Sequence, residues 1–193
     1  MSNPARQQSP MVQLDLSPLA ASENLQIIET PFVGHINLRG RPDNAKFIQS
    51  VAKVLGTEPP KQANTWTESG DFRIYWMGPD EWLIITRTEA EEKLEQDLRD
   101  ALKGQFSSVT NVSSGQTLLR ISGEKARALL QKGCSFDLHP NQFKPGQCAQ
   151  TLLAKAGVLV AMVDDAPVFD LVVRRSFSDY LGLWLQDAAH EFL

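Results

Sequence analysis

The sequence lacks any apolar run long enough to cross a membrane. Its longest stretch, Gly157-Val158-Leu159-Val160-Ala161-Met162-Val163, falls far short of the roughly 20 residues a spanning helix needs. Its β-branched content predicts a strand instead. An excess of positive charge is also missing: 19 basic residues stand against 23 acidic ones, net −4, and the basic residues are scattered. That excludes the basic stripe a polyanion requires, so neither nucleic acid nor membrane is an expected partner. The first 18 residues hold Asn, Gln, Ser and Pro with a single Arg6, without the basic start and apolar block of a secretory signal. Cysteine is scarce, and Cys134 and Cys148 are read as reduced, packed thiols of a cytoplasmic protein.

Catalytic signatures are equally sparse. No G-x-G-x-x-G follows a strand, no G-x-x-x-x-G-K-[ST] occurs, and no G-x-S-x-G marks a nucleophile elbow. His35, His139 and His190 have no partner at ligand spacing, and no C-x-x-C is present. Cys134 and His139 could form a nucleophilic pair, but Cys134 follows a helix stop rather than opening a helix that would lower its pKa. A packed thiol beside a loop imidazole is the favoured reading.

What is present is a repetition. Ile36-Asn37-Leu38-Arg39-Gly40 runs into an amphipathic helix, and Leu118-Leu119-Arg120-Ile121-Ser122-Gly123 does the same. The glycines are 83 residues apart (123 minus 40). Leu83-Ile84-Ile85-Thr86-Arg87 and Leu171-Val172-Val173-Arg174-Arg175 share a second signature, offset by 88 (171 minus 83). Such self-similarity predicts a duplicated unit sharing one core. With 193 residues and a 42% apolar share, the chain makes one large domain or two small packed ones. Residues 1–20 are expected to be a flexible tail, 21–112 a first half and 113–193 a second, in one compact unit. Asp43 is the expected N-cap of a helix with Phe47, Ile48, Val51, Val54 and Leu55 inward and Gly56 as its stop. Further helices are expected over 89–103, 124–131 and 178–191, among strands and Gly/Pro/Asp turns. The order is β-α-β-β-α in each half with extra strand material, which predicts an α+β fold of two ferredoxin-like halves packed together, with antiparallel sheets.

Three features could carry function. Asp164-Asp165 could chelate a cation, but also sits where a hairpin needs Asp and Pro, and the turn is favoured. Arg174 and Arg175 point to opposite faces of a strand, where one could grip an anion or a partner carboxylate; a solvated sheet edge is the plainer alternative. Trp66, Trp76 and Trp82 crowd one strand pair, and Tyr75 and Trp76 cannot both enter one core, which leaves one aromatic as an interface anchor.

The segment from Leu119 through Ile121-Ser122-Gly123-Glu124-Lys125-Ala126 to Gly133-Cys134 and His139-Pro140, continued by Phe143 and Gly146-Gln147-Cys148-Ala149-Gln150-Thr151, resembles the folate-binding aminomethyltransferase fold. With Ile36 to Gly40, Gly78-Pro79-Asp80-Glu81-Trp82-Leu83 and Ser113-Ser114-Gly115-Gln116, the chain resembles the gamma-subunit family of heterotetrameric sarcosine oxidase over most of its length beyond the tail. The resemblance implies a complex that oxidatively demethylates sarcosine to glycine, releases hydrogen peroxide and passes the one-carbon unit to tetrahydrofolate. It implies alpha, beta and delta subunits as partners, with FAD, FMN, NAD and tetrahydrofolate on the larger subunits and no cofactor in this chain. No residue is assigned a catalytic, cofactor-binding or metal-binding role. Asp170 stands alone before Leu171-Val172-Val173, where the folate-binding enzymes have an acidic pair, and is read as ending a turn or bonding a neighbouring backbone. The alternative is a free-standing folate-binding one-carbon transferase or folate-dependent regulator.

Overall fold

The computed structural model describes residues 7–20 and 24–192. α1 (Ser17–Ala20) and β1 (Gln26–Thr30) come first. Then follow β2 (Gly34–Gly40), α2 (Ala45–Leu55), β3 (Trp66–Ser69), β4 (Phe72–Gly78), β5 (Glu81–Thr86), α3 (Glu91–Ala101) and β6 (Ser107–Asn111). The rest is β7 (Gln116–Ser122), α4 (Ala126–Gln131), β8 (Cys148–Leu153), β9 (Ala156–Asp164), β10 (Val168–Arg174) and α5 (Ser178–Ala189).

Local chemistry accounts for the helices. Asn44, not Asp43, caps α2: its side-chain oxygen accepts from the amides of Lys46 and Phe47. Gly56 ends that helix in the left-handed conformation. α3 puts Glu91 and Glu92 in its first turn and Arg99 in its last, and buries Leu94 and Leu98.

The strands form two antiparallel five-stranded sheets, ordered β3-β4-β5-β2-β6 and β8-β9-β10-β7-β1. The orders are superimposable. Each unit runs β-α-β-β-β-α-β, except that the last strand of the second unit is supplied by β1, from near the chain's beginning. Thus the strand expected near Leu25 to Ile28 forms, but pairs with β7 across Ile27↔Ile121. Alternating apolar residues fit any sheet edge, so the local sequence does not name the partner.

Register also refines the duplication. Leu38 faces Trp82 and Ile121 faces Phe169, so equivalent positions on β5 and β10 are 87 apart (169 minus 82). The offset of 88 is one residue out of phase, which in a strand exchanges the two faces. Even the repeated glycines serve different ends. A Cβ on Gly40 would run into the Phe47 ring, whereas Gly123 has φ +105 and backs onto Asn24 backbone.

Four layers result, with three apolar cores. α2 and α3 cover one sheet through Phe47, Val51, Leu94 and Leu98 against Ile36, Leu38, Trp82 and Ile84. α4 and α5 cover the other through Leu129, Leu181 and Leu185 against Leu119, Ile121, Phe169 and Leu171. Between the sheets Val33, Tyr75, Leu83 and Ile85 meet Leu118, Cys148, Leu159 and Val172. Tyr75 and Ile74 are both fully buried because both faces of their sheet are covered. Of the pair Tyr75 and Trp76, the first is therefore core between the sheets and the second is half-buried on the opposite face. Trp82 is core and donates to Pro60 O at 2.8 Å; Trp66 is half-buried and donates to Met162 O at 3.0 Å.

The expected flexible tail is, from residue 7 to residue 20, a docked segment. Met11 and Leu19 are 2% exposed and belong to the core under α5. Gln186 Nε2 donates to Asp15 O at 2.6 Å, and Gly182 leaves the space that Leu14 fills. The Pro/Ser/Gln composition conceals the apolar set Met11, Leu14, Leu16 and Leu19, which finds its partner only in the folded chain.

Candidate functional site

The seam between the sheets holds the most unusual chemistry. Asp170 lies mid-strand in β10 on the face turned toward the other sheet, with its side chain 1% exposed. It accepts from Arg73 Nη1 at 2.6 Å and from Arg120 Nε and Nη2 at 2.8 and 3.0 Å. Arg120 is its register neighbour on β7, whereas Arg73 reaches across from β4 of the opposite sheet. The sequence reading of Asp170 as a turn or backbone-bonding residue is therefore corrected: it is the anion of a cross-sheet triad. Sequence alone could not pair it with Arg73, 97 residues away. The hydrogen bonds that Arg120 donates to Asp170 hold the Arg120 pKa above its ordinary value, and desolvation, with the Asp170 charge second, pushes the pKa of buried Tyr75 up.

Clefts open along this seam. One of about 280 Å³ is lined by Arg73, Arg120, Glu68, Thr86 and Arg87. Another of about 550 Å³ lies among Asn37, Leu83, Gln150, Val172, Arg174 and Phe177. A third, about 400 Å³, is bounded by Pro10, Phe32, Glu91, Ser113, Gln116 and Arg175. Only Arg174 belongs to β10; Arg175 opens the 3-10 turn Arg175–Phe177, so the expected placement of both on opposite faces of one strand is corrected, and Arg174 lines the second cleft while Arg175 lines the third.

The groups beside the seam are held in place rather than poised to react. Asp170 has both oxygens engaged by guanidinium groups. Burial pushes the Cys148 thiol up to about 12, opposed by its contact with Trp76 O, so the thiolate is suppressed near neutrality. Cys134 is also a free thiol. Ala166 N donates to Asp164 Oδ1 at 3.0 Å, which gives Asp164 a turn role. Among the described residues no group of three or more His, Cys, Asp or Glu could hold a metal ion.

His35 is buried on β2, while His139 and His190 are exposed. His35 Nδ1 lies 3.0 Å from Val33 O, and its Nε2 has no partner among the described residues. The neutral ring therefore carries its proton on Nδ1 and donates it to that carbonyl. Burial lowers the His35 pKa from 6.5 to about 4, against the opposing Val33 bond. The unfolded chain takes up a proton in this window that the folded chain refuses. Stability is then fully present above pH 6.5 and falls as pH drops toward 4. The expected loss between pH 7 and pH 5 is about 2 kcal/mol from this residue. Urea unfolding at the two pH values checks it, and a His35→Leu chain should lose that part of the pH dependence.

Among the described residues no helix is long and apolar enough to cross a membrane. The model of the sarcosine oxidase gamma subunit family matches residues 39–191. Sarcosine oxidase subunit gamma of Corynebacterium sp. (strain P-1) is 31% identical over 169 residues, 87% of this chain and 81% of its own. The Arthrobacter sp. subunit of the same name is 30% identical over 165 residues, 85% of this chain and 79% of its own. A chain of heterotetrameric sarcosine oxidase from Corynebacterium sp. U-96, solved with pyrrole 2-carboxylate, superposes with a TM-score of 0.87 at 26% identity, covering 96% of both chains. Aminomethyltransferase T of the glycine cleavage system from Bartonella henselae superposes with a TM-score of 0.67 at 11% identity, over 88% of this chain and 48% of that one. The last likeness is one of fold alone.

Proposed function

The chain belongs to the sarcosine oxidase gamma subunit family, and on that footing we propose that it is a non-catalytic subunit that docks on larger subunits and stabilises their assembly. The observation that carries the non-catalytic part is the triad. In a fold of the aminomethyltransferase kind, the carboxylate at the seam is held by two guanidinium groups joining the sheets. A carboxylate so engaged is a poor general base and a poor ligand for a substrate cation. In this reading the flavins, NAD and tetrahydrofolate sit on the alpha and beta subunits, delta completes the tetramer, and the complex works on sarcosine in the cytoplasm.

Gentle affinity purification of the tagged chain from its own host tests the proposal. The expected product is a large stoichiometric assembly with flavin absorption. A colourless species of monomer mass, with no affinity for flavin-bearing subunits, would overturn it.

A further inference from the structure

The subunit reading leaves open where the chain meets its neighbours, and one face offers an answer. Phe177, Tyr180 and Leu183, in the turn before α5 and along α5, are 39%, 37% and 58% exposed. They are three residues apart, so they line one side of the helix, while Leu181 and Leu185 point into the core. The β8–β9 hairpin extends this surface. Leu152 is 51% exposed, Lys155 N donates to Tyr180 OH at 3.3 Å, and Gly157, opposite Leu152, shares a cleft wall with Phe177.

The mouth of the cleft beside this face is basic although the chain is acidic. The whole sequence carries net −4, yet Arg174, Arg175 and Lys155 are exposed here and make no ion pair among the described residues. Asp179 and Asp187 are the exposed acids of α5 and pair with none of them, Asp187 lying one turn beyond Leu183 on the same side, and Glu81 at the cleft accepts from Asn37. Behind Phe177 and Arg174 opens the cleft of about 550 Å³, where the Gln116 side-chain oxygen is buried without a donor among the described residues.

We propose that this face of α5, with the arginine-edged mouth of the cleft, is the docking site for a larger subunit of the same complex. The matching segment presents apolar side chains flanked by carboxylates. Exposed Tyr, Phe and Arg at the centre of a face are the residue types that dominate binding energy, and opposite charge steers the approach. A second copy of this chain fits poorly. A two-fold contact through this face would bring the same arginines together.

The inference rests on the subunit reading, and its test separates the two. The full chain is co-expressed with its partner subunits, and the fraction retained in the assembly is measured at low and high salt. Leu152→Glu with Leu183→Glu, and separately Arg174→Glu with Arg175→Glu, should each lower retention at least tenfold, with far-UV dichroism and Tm as in the parent. Phe106→Glu, on a residue 88% exposed beside the other sheet's β6 edge, should be retained like the parent. Retention of the Leu152/Leu183 variant at parental stoichiometry, or loss of the Phe106 variant in its place, overturns the docking face while leaving the subunit reading intact. Failure of the parent chain itself to assemble overturns the subunit reading.

Discussion

Replacing Asp170 by alanine is expected to destabilise the fold by about 3 kcal/mol, measured by urea unfolding at neutral pH. The carboxylate lies between Arg73 and Arg120, and its removal leaves two guanidinium groups facing each other across the seam without an anion. Their side chains are 23% and 37% exposed, so they recover part of their hydration and the loss stays at the lower end for a broken buried pair. Asp170→Asn should lose less, because the amide oxygen still accepts from one arginine. Arg73→Ala should also lose less, because Arg120 keeps its two bonds to the carboxylate. Replacing all three by apolar residues of similar volume should restore most of the stability. If Asp170→Ala unfolds at the parental urea concentration, the triad is not what ties the sheets together.

The second large effect lies at the other end of the sequence. Met11→Ala combined with Leu19→Ala is expected to cost at least about 4 kcal/mol, since each truncates a residue buried in the core under α5. Val12, next to Met11 but 53% exposed, supplies the comparison: Val12→Ala should leave the unfolding midpoint within experimental scatter. Equal, small effects from all three positions would mean that residues 7–20 are not part of the folded core in solution.

The stripe Phe47, Ile48, Val51 and Leu55, with Gly56 after it, announces α2, because capping, periodicity and a left-handed stop are all local. Its N-cap was displaced by one residue, since Asp43 and Asn44 carry the same kind of acceptor and only backbone geometry separates them. The duplication was legible as well, through Arg39-Gly40 and Ser122-Gly123 at the ends of β2 and β7. Its exact register was not, because Leu83 and Ile84 are equally apolar and belong to different cores. Asp170 looked ordinary in sequence because its significance lies in a partner on another sheet.

Local sequence thus determined α2 to α5, the antiparallel strand pairs, the repeated unit and, through its motifs, the family, since each depends on residues close together or in a persistent order. Tertiary structure alone decided that β1 completes the second sheet, that residues 7–20 pack beneath α5, that Asp170 joins Arg73 to Arg120, and that Phe177, Tyr180 and Leu183 remain uncovered beside unpaired arginines. The physical reason is common to all four. Alternating apolar residues, short apolar segments and single charges each fit many partners, and only the simultaneous burial of every other face leaves one of those partners within reach.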